Sequence, residues 1–402
     1  MTGPGIVVVG GGLGGLRAVE SLRRLGHTGP VTLVSDERLA PYDRPPLSKQ
    51  LLHPDRLGEP PFLCAPEAYD GLCELVLGRR AVHLDVAAHT VLLDDGTAVP
   101  YTAAVLATGT SPRRLPVLDG LSHTVRTYDD AVRLRRAILD HERLAVVGAG
   151  FMGCEIASAA TAAGTPVTVI EAAPTPLFGA LGPAVGAHVR DLLAADGVDV
   201  RCCVSVTGVG GDGGHRRLVL SDGGTVGAAV VAECVGVRPA VDWLRDAGLE
   251  LADGIVCDAY GETSARDVYA VGDAAAWRYP GAAAPVRVEH WTTTTAQAQA
   301  VARNLLAGRD ERQPLDAPLH YFWSDQCGTK LQCFGLPGAA DEVELRAGAD
   351  GRSLLAAYGD GRRATAVLGI GRPKQVLHLR TRLASGASFA EVAGAVRELA
   401  AA

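Results

Sequence analysis

Two glycine-rich turns, each set between a short apolar strand and an amphipathic run, constrain this chain more than any other feature of its sequence. The first is Gly10-Gly11-Gly12-Leu13-Gly14-Gly15, a G-x-G-x-x-G. Before it, residues 5–10 (GIVVVG) read as a buried strand, and after it Leu16, Val19, Leu22 and Leu25 recur at helical spacing until Gly26. Residues 31–34 form a second strand ending at Ser35-Asp36. The same grammar returns at residues 143–171. A strand at 144–147 leads into Gly148-Ala149-Gly150-Phe151-Met152-Gly153, then a helix over 151–163 stopped by Gly164, then a strand at 167–170 ending at Glu171. In such turns the first glycine permits the tight bend and the second lets the backbone approach a pyrophosphate. The third lets helix and sheet pack closely, and the phosphates rest on the helix N-terminus. Asp36 and Glu171 stand about 20 residues on, where an acid meets a ribose hydroxyl. The two turns are too far apart to be halves of one sheet, so two dinucleotide-binding domains are expected.

Composition narrows the class. The chain has 402 residues, 48% hydrophobic and 21% charged, enough for more than one packed domain. A net charge of −7 argues against a nucleic-acid binder. No apolar run reaches the ~18 residues of a membrane span. The apolar residues 6–9 meet glycines at once without a basic flank, which reads as a strand rather than a signal peptide, and a soluble cytoplasmic protein is the expectation. The nine cysteines include no C-x-x-C, and no histidine joins them at zinc-ligand spacing, so neither a metal site nor a disulfide scaffold is expected. Cys202-Cys203 reads as small apolar packing after a strand.

Further along, residues 90–99 read as a hairpin turning at Asp94-Asp95-Gly96, and residues 217–226 as a second one turning at 221–224. Residues 105–110 (VLATGT) and 267–275 (DVYAVGDAA) each run from strand into glycine turn. A helix is expected over 297–306, stopped by Gly308. From about residue 318 the character changes, with Tyr321-Phe322-Trp323 followed by short strands and a final helix.

One polar stretch suggests chemistry. Residues 41–49 (PYDRPPLSK) are stiffened by proline, which would hold Lys49, one of only three lysines in the chain. A fixed ammonium suits a flavin at N5, where negative charge develops on reduction. Glu155, two residues past the last glycine of the second turn, is placed to pair with it. Lys49 and Glu155 are therefore the candidates for catalysis. On the nucleotide side, Glu171 would bind the ribose diol of NAD and repel a 2′-phosphate, and residues 172–177 hold no Arg or Lys to receive one. NADH is expected over NADPH.

These segments together resemble the FAD-dependent NADH:ferredoxin reductases of oxygenase and cytochrome P450 chains, a family that includes the putidaredoxin and rubredoxin reductases. The likeness rests on GGGLGG, PYDRPPLSK, LATG (106–109), GAGFMGCE (148–155), GVRP (236–239), AVGD (270–273), VEHW (288–291) and FWSDQ (322–326), in the family's order. It implies an α/β architecture of two Rossmann-like domains, one inserted in the other, with a C-terminal α+β interface domain. The FAD domain would comprise residues 1–113 and 245–317, the NAD domain 114–244 and the interface domain 318–402. For FAD the resemblance implies Gly10, Gly12, Leu13, Gly14, Gly15, Asp36, Arg44, Lys49, Val82, Ala107, Thr108, Gly109, Arg126, Asp273, His290 and Trp291. For NAD it implies Gly148, Gly150, Phe151, Met152, Gly153, Glu155, Glu171 and Gly236. Residues 292–295 (TTTT) depart from the family's more usual mix, which includes Asn.

Disulfide reductases of the same architecture carry a C-x-x-x-x-C pair soon after the first strand–helix–strand unit. Here the first cysteine is Cys64 and the next Cys73, which read as two unlinked thiols. Electrons would leave the flavin directly for a one-electron carrier, a ferredoxin-type [2Fe–2S] protein or a rubredoxin. A plant-type ferredoxin near roughly −400 mV is a poor match for NADH. Ferredoxins are acidic, so a local basic patch is expected, with Arg309, Arg312, Arg372 and Lys374 as candidates and Trp323 near the exit route. Two other readings stand beside this one: an NADH oxidase or monodehydroascorbate-type reductase, and an NADH-sensing flavoprotein that does not turn over.

Overall fold

The GIVVV run before the first glycine turn is the middle of a five-stranded parallel layer. The order is Glu74–Leu77, Val31–Ser35, Gly5–Val9, Ala98–Leu106 and Val268–Ala270. Val7 and Val8 are almost wholly buried, as expected of a strand covered on both faces. In this computed structural model, which describes residues 4–53, 58–140, 143–211, 216–316, 319–340 and 342–401, the chain divides into two compact units. One comprises Met1–Asp43, Pro60–Ser111 and Arg238–His320, the other Arg44–Glu59, Pro112–Val237 and Tyr321–Ala402.

In the first unit the helix Leu13–Arg24 lays Leu16, Val19 and Leu22 on the sheet, each wholly buried. Each such side chain contributes about 1.5–3 kcal/mol of transfer free energy. The strands Ala81–Asp85 and Thr90–Leu93 extend the sheet antiparallel through the first half of Ala98–Leu106. Gly96, at φ +85°, makes the turn between the last two. A smaller sheet runs Leu251–Ala252, Gly254–Cys257, Ala275–Trp277 and Val286–Arg287.

The helix expected over 297–306 starts earlier, at Trp291. A run of four β-branched threonines is a weak helix former, and here packing overrides propensity. Thr293 and Thr294 are buried, and Thr293 Oγ1 lies 3.0 Å from His320 Nδ1. Thr295 Oγ1 donates back to the Trp291 carbonyl at 3.0 Å, one helical turn earlier.

The second unit holds a four-stranded parallel sheet in the order Asp199–Arg201, Val167–Ile170, Leu144–Val147, Val230–Glu233. The helices Tyr128–Asp140, Phe151–Ala162 and Phe178–Ala195 belong to the same unit. An antiparallel meander, Val206–Gly210, Arg216–Leu220 and Thr225–Ala228, packs with it through Leu218 and Val226. Its carboxyl-terminal part is a five-stranded antiparallel sheet in the order Tyr321–Gln326, Thr329–Gly335, Ala364–Ile370, Leu354–Gly359, Glu342–Ala347. Two helices, Pro373–Ala384 and Phe389–Ala401, follow it. All nine cysteines are free thiols. Cys203 does not pack as expected: it is exposed, with a left-handed φ of +60°, because the loop turns there to let its N–H reach the Ala173 carbonyl. Among the described residues no helix is long and apolar enough to cross a membrane.

Candidate functional site

Both fingerprint turns are built by backbone contact that leaves no room for a side chain. A Cβ on Gly10 would sit 2.1 Å from the Ala107 carbonyl oxygen, and one on Gly15 only 2.0 Å from that of Gly10. In the second unit a Cβ on Gly148 would lie 2.4 Å from the Cys234 oxygen, and one on Gly153 2.0 Å from that of Gly148. Gly150 differs from these four: a Cβ there meets nothing within 4 Å. The space lies at the start of the helix Phe151–Ala162.

The helices that follow are left open at their N-termini. Gly12 and Gly150 are the N-caps, neither provides a side-chain hydrogen bond, and neither first turn contains an acid. Helix starts usually carry Ser, Thr, Asp or Asn to satisfy the first N–H groups. Leaving those donors to a ligand suits an anion such as a pyrophosphate.

The remaining residues of the first unit surround its turn. Gly10 N–H donates to the Val34 carbonyl at 2.8 Å and Ala107 N–H to that of Val9 at 2.7 Å. Thr108 Oγ1 donates to the Ala240 carbonyl at 2.9 Å, and Gly109 takes a φ of +68°. Asp36 is exposed at the end of its strand, with Arg80 Nε 3.9 Å away, and Val82 is exposed on the strand Ala81–Asp85. Asp273 sits in the turn Gly272–Ala274, whose Gly272 N–H donates to Gln297 Oε1 at 2.8 Å. The methyl of Thr294 lies 3.2 Å from where a Cβ on Gly14, and one on Gly272, would stand. The helix Trp291–Leu306 thus packs on both glycine turns at once. Trp291 Nε1 donates to Asp43 at 3.2 Å, with the Arg17 guanidinium 5.6 Å from its ring centroid. His290 caps this helix, its ring 5.9 Å from that of His320. Burial, with His320 adding to it, lowers its pKa to about 4.

In the second unit Glu171 closes on its own turn. Its carboxylate accepts from Ala149 N–H at 2.5 Å and from Ala173 N–H at 2.7 Å. The neighbouring cation, Arg201, is engaged by Asp199 at 3.0 Å. Gly236, at φ +94°, accepts from Arg113 N–H at 2.9 Å. Arg44 donates to the Arg126 carbonyl at 2.5 Å. Phe151 and Met152 form the first turn of the helix, and the Phe151 ring meets that of Phe322 edge-on at 5.1 Å.

Glu155 gathers three polar side chains around it. The residue is only 5% exposed. Lys49 Nζ lies 2.8 Å from its Oε2 and also donates to the Pro45 carbonyl at 3.1 Å. Ser48 Oγ donates to the same Oε2 at 2.5 Å, and Ser324 Oγ to Oε1 at 2.6 Å. Among the described residues the third ammonium hydrogen of Lys49 meets no acceptor. The sequence pairs Lys49 with Glu155; it does not show the two serines as their companions, although both stand in motifs, PPLSK and FWSDQ, that it marks.

One expectation is corrected. Arg312 is no docking residue: its guanidinium lies 2.8 Å from Glu262, with the side chain 11% exposed. Arg309 also faces Glu262, at 3.6 Å. A buried carboxylate draws in the nearest cations because an uncompensated charge there is costly. Lys374 remains exposed, while Arg372 donates to Ser353 Oγ at 2.9 Å.

Comparison with known proteins places these features. The profile of the pyridine nucleotide-disulphide oxidoreductase family matches residues 4–300, and that of the reductase C-terminal family matches residues 321–398. The ferredoxin–NAD(+) reductase component of the p-cumate 2,3-dioxygenase system of Pseudomonas putida is 37% identical over 333 residues, 82% of this chain and 81% of that protein. Rhodocoxin reductase of Rhodococcus erythropolis is 34% identical over 386 residues, 94% of this chain and 89% of its own. Among solved structures, the ferredoxin reductase for the CYP199A2 system from Rhodopseudomonas palustris superposes with a TM-score of 0.90 at 31% identity, covering 96% of each chain. The covalent putidaredoxin reductase–putidaredoxin complex gives a TM-score of 0.90 at 29% identity, covering 99% of this chain and 100% of that one.

Proposed function

The chain belongs to the pyridine nucleotide-disulphide oxidoreductase family, among its FAD-dependent NADH:ferredoxin reductases, and from that premise we propose that it takes electrons from NADH and delivers them to a small iron–sulfur carrier. The carrier is a ferredoxin-type [2Fe–2S] protein or a rubredoxin serving a cytochrome P450 or another oxygenase. One observation carries the reading: the helix Phe151–Ala162 has both an open, uncapped first turn at Gly150 and, just beyond it, the buried Lys49–Glu155 pair.

The residues fit the two cofactors. The uncapped turn at Gly12 suits the pyrophosphate of FAD and the one at Gly150 that of NADH. Bound FAD supplies the conversion between a two-electron donor and a one-electron acceptor. For FAD we assign residues 10–15, Asp36, Arg44, Lys49, Val82, residues 107–109, Arg126, Asp273, His290 and Trp291. For NADH we assign residues 148–153, Glu155, Glu171 and Gly236. The corresponding domains are 1–113 with 245–317 for FAD, 114–244 for NAD and 318–402 for the interface. We place the protein in the cytoplasm.

What the chain itself does is hold and orient. Glu155 and the Pro45 carbonyl fix the Lys49 ammonium, which would hold a positive charge beside the flavin when FAD is bound. Glu171 presents a carboxylate where NADPH would bring a phosphate, and the neighbouring Arg201 is paired with Asp199. Steady-state turnover with NADH and NADPH against a panel of [2Fe–2S] carriers tests the proposal. NADH with a carrier is expected to sustain turnover, and a preference for NADPH would refute the role of Glu171.

A further inference from the structure

The strand Tyr321–Gln326 presents its two faces to different neighbours. Tyr321 and Trp323 stack at 5.8 Å, and Tyr321 also stacks on Phe334 at 4.6 Å. Phe322 and Ser324 turn the other way, toward the helix Phe151–Ala162. The match continues along the helix. Phe151 meets Phe322, Glu155 meets Ser324, and Ser158 Oγ accepts from Cys327 N–H at 2.7 Å. Helix steps of four and three residues put these three on one face.

Ser324 is wholly buried, and among the described residues it supplies the only hydrogen bond to Glu155 Oε1. Oε2 has two donors, Ser48 and Lys49. A carboxylate at this depth keeps its charge and its orientation only when its lone pairs are met. Without Ser324, Oε1 is a buried oxygen with no donor. The carboxylate is then free to rotate away from the ammonium, and Lys49 loses its aim.

We propose that Ser324, a residue of the carboxyl-terminal sheet, is a positioning residue for the Lys49–Glu155 pair, with Ser48 holding the other carboxylate oxygen. The carboxyl-terminal sheet thereby takes part in the reaction with NADH and is not confined to carrier docking. The inference rests on the assignment of Lys49 to the flavin under the proposed function.

The test uses the flavin-loaded enzyme and the S324A, K49M and S324A/K49M variants, with two readouts. The first is the two-electron potential of the bound flavin, measured by dye equilibration without NADH. The second is the limiting rate of flavin reduction by NADH. S324A is expected to weaken the preference for the reduced form about tenfold, a shift of about 30 mV to the negative for a two-electron couple. It should slow the limiting rate about tenfold while leaving half-saturation by NADH within about twofold. In the K49M background S324A should change neither quantity further, because the residue it positions is gone. A folded S324A enzyme with unchanged potential and rate overturns the inference, as does full additivity with K49M. K49M at the wild-type potential instead brings down the assignment of Lys49 itself, a separable outcome. Should S324A fail to fold, S324C, which keeps the shape of the side chain and leaves Oε1 only a weak thiol donor, carries the same expectations and the same refutation.

Discussion

Gly150→Ala separates a nucleotide-binding turn from a merely structural one. Gly150 has φ −70° and ψ −176°, an extended conformation open to any residue, and a Cβ there touches nothing within 4 Å. Alanine should therefore leave the fold intact, because the gain of about 0.4–1 kcal/mol from restricting the unfolded chain is offset by the poorer N-cap that alanine makes than glycine. Its methyl, however, stands over the uncapped first turn where a pyrophosphate must approach the backbone. The loss of one charge-assisted hydrogen bond there costs about 1.5–3 kcal/mol, which raises half-saturation by NADH roughly 10- to 150-fold. Gly153→Ala is the contrast, because its Cβ would lie 2.0 Å from the Gly148 oxygen. Backbone must shift, at about 1–3 kcal/mol or more, and the loss appears in the melting temperature. Anaerobic stopped-flow reduction of the flavin at varied NADH, with thermal denaturation alongside, measures both effects. A Gly150→Ala enzyme with wild-type half-saturation by NADH would refute the assignment of this turn to the nucleotide.

Other perturbations probe other parts. Glu171→Arg removes the carboxylate and adds a cation, so the ratio of kcat/KM for NADH over NADPH should fall by at least about tenfold; an unchanged ratio removes Glu171 from cofactor choice. Reversing Arg372 and Lys374 to glutamate should slow carrier reduction and spare ferricyanide reduction, with most of the effect from exposed Lys374; equal loss with both acceptors excludes this surface from docking. Burial holds the His290 pKa down at about 4, with His320 adding to the effect. Below about pH 6.5 the unfolded chain therefore takes up a proton that the native imidazole refuses. Stability is full above that pH and falls by up to about 3 kcal/mol as pH drops toward 4. Denaturant midpoints at pH 7 and pH 5 should show the decline, and His290→Gln should flatten it; an undiminished slope in the variant assigns the acid sensitivity elsewhere.

Much of the fold is legible because its signals are local. A strand, a glycine turn and a helix in register have few other interpretations, and the helices Leu13–Arg24 and Phe151–Ala162 end within a residue or so of where periodicity and Gly26 or Gly164 put them. Residues 291–296 are harder, since four threonines in a row argue against a helix. Only contact with the glycine turns and with His320 decides for one. The same holds for charge. Lys49 and Glu155 can be paired from their motifs, but Ser324, 169 residues from Glu155, meets it through strand alternation that no local pattern discloses. Arg312 shows the converse: a cation that looks free along the chain is taken up by a buried acid fifty positions away.

Anaerobic titration of the purified protein with NADH, followed by addition of an oxidised [2Fe–2S] carrier, tests the central claim most directly. A yellow protein should bleach with one equivalent of NADH per flavin and then recover its colour as two equivalents of carrier become reduced, since each carrier accepts one electron. A colourless protein that takes up no FAD, or a flavin that stays bleached and leaves every added carrier oxidised, would contradict it.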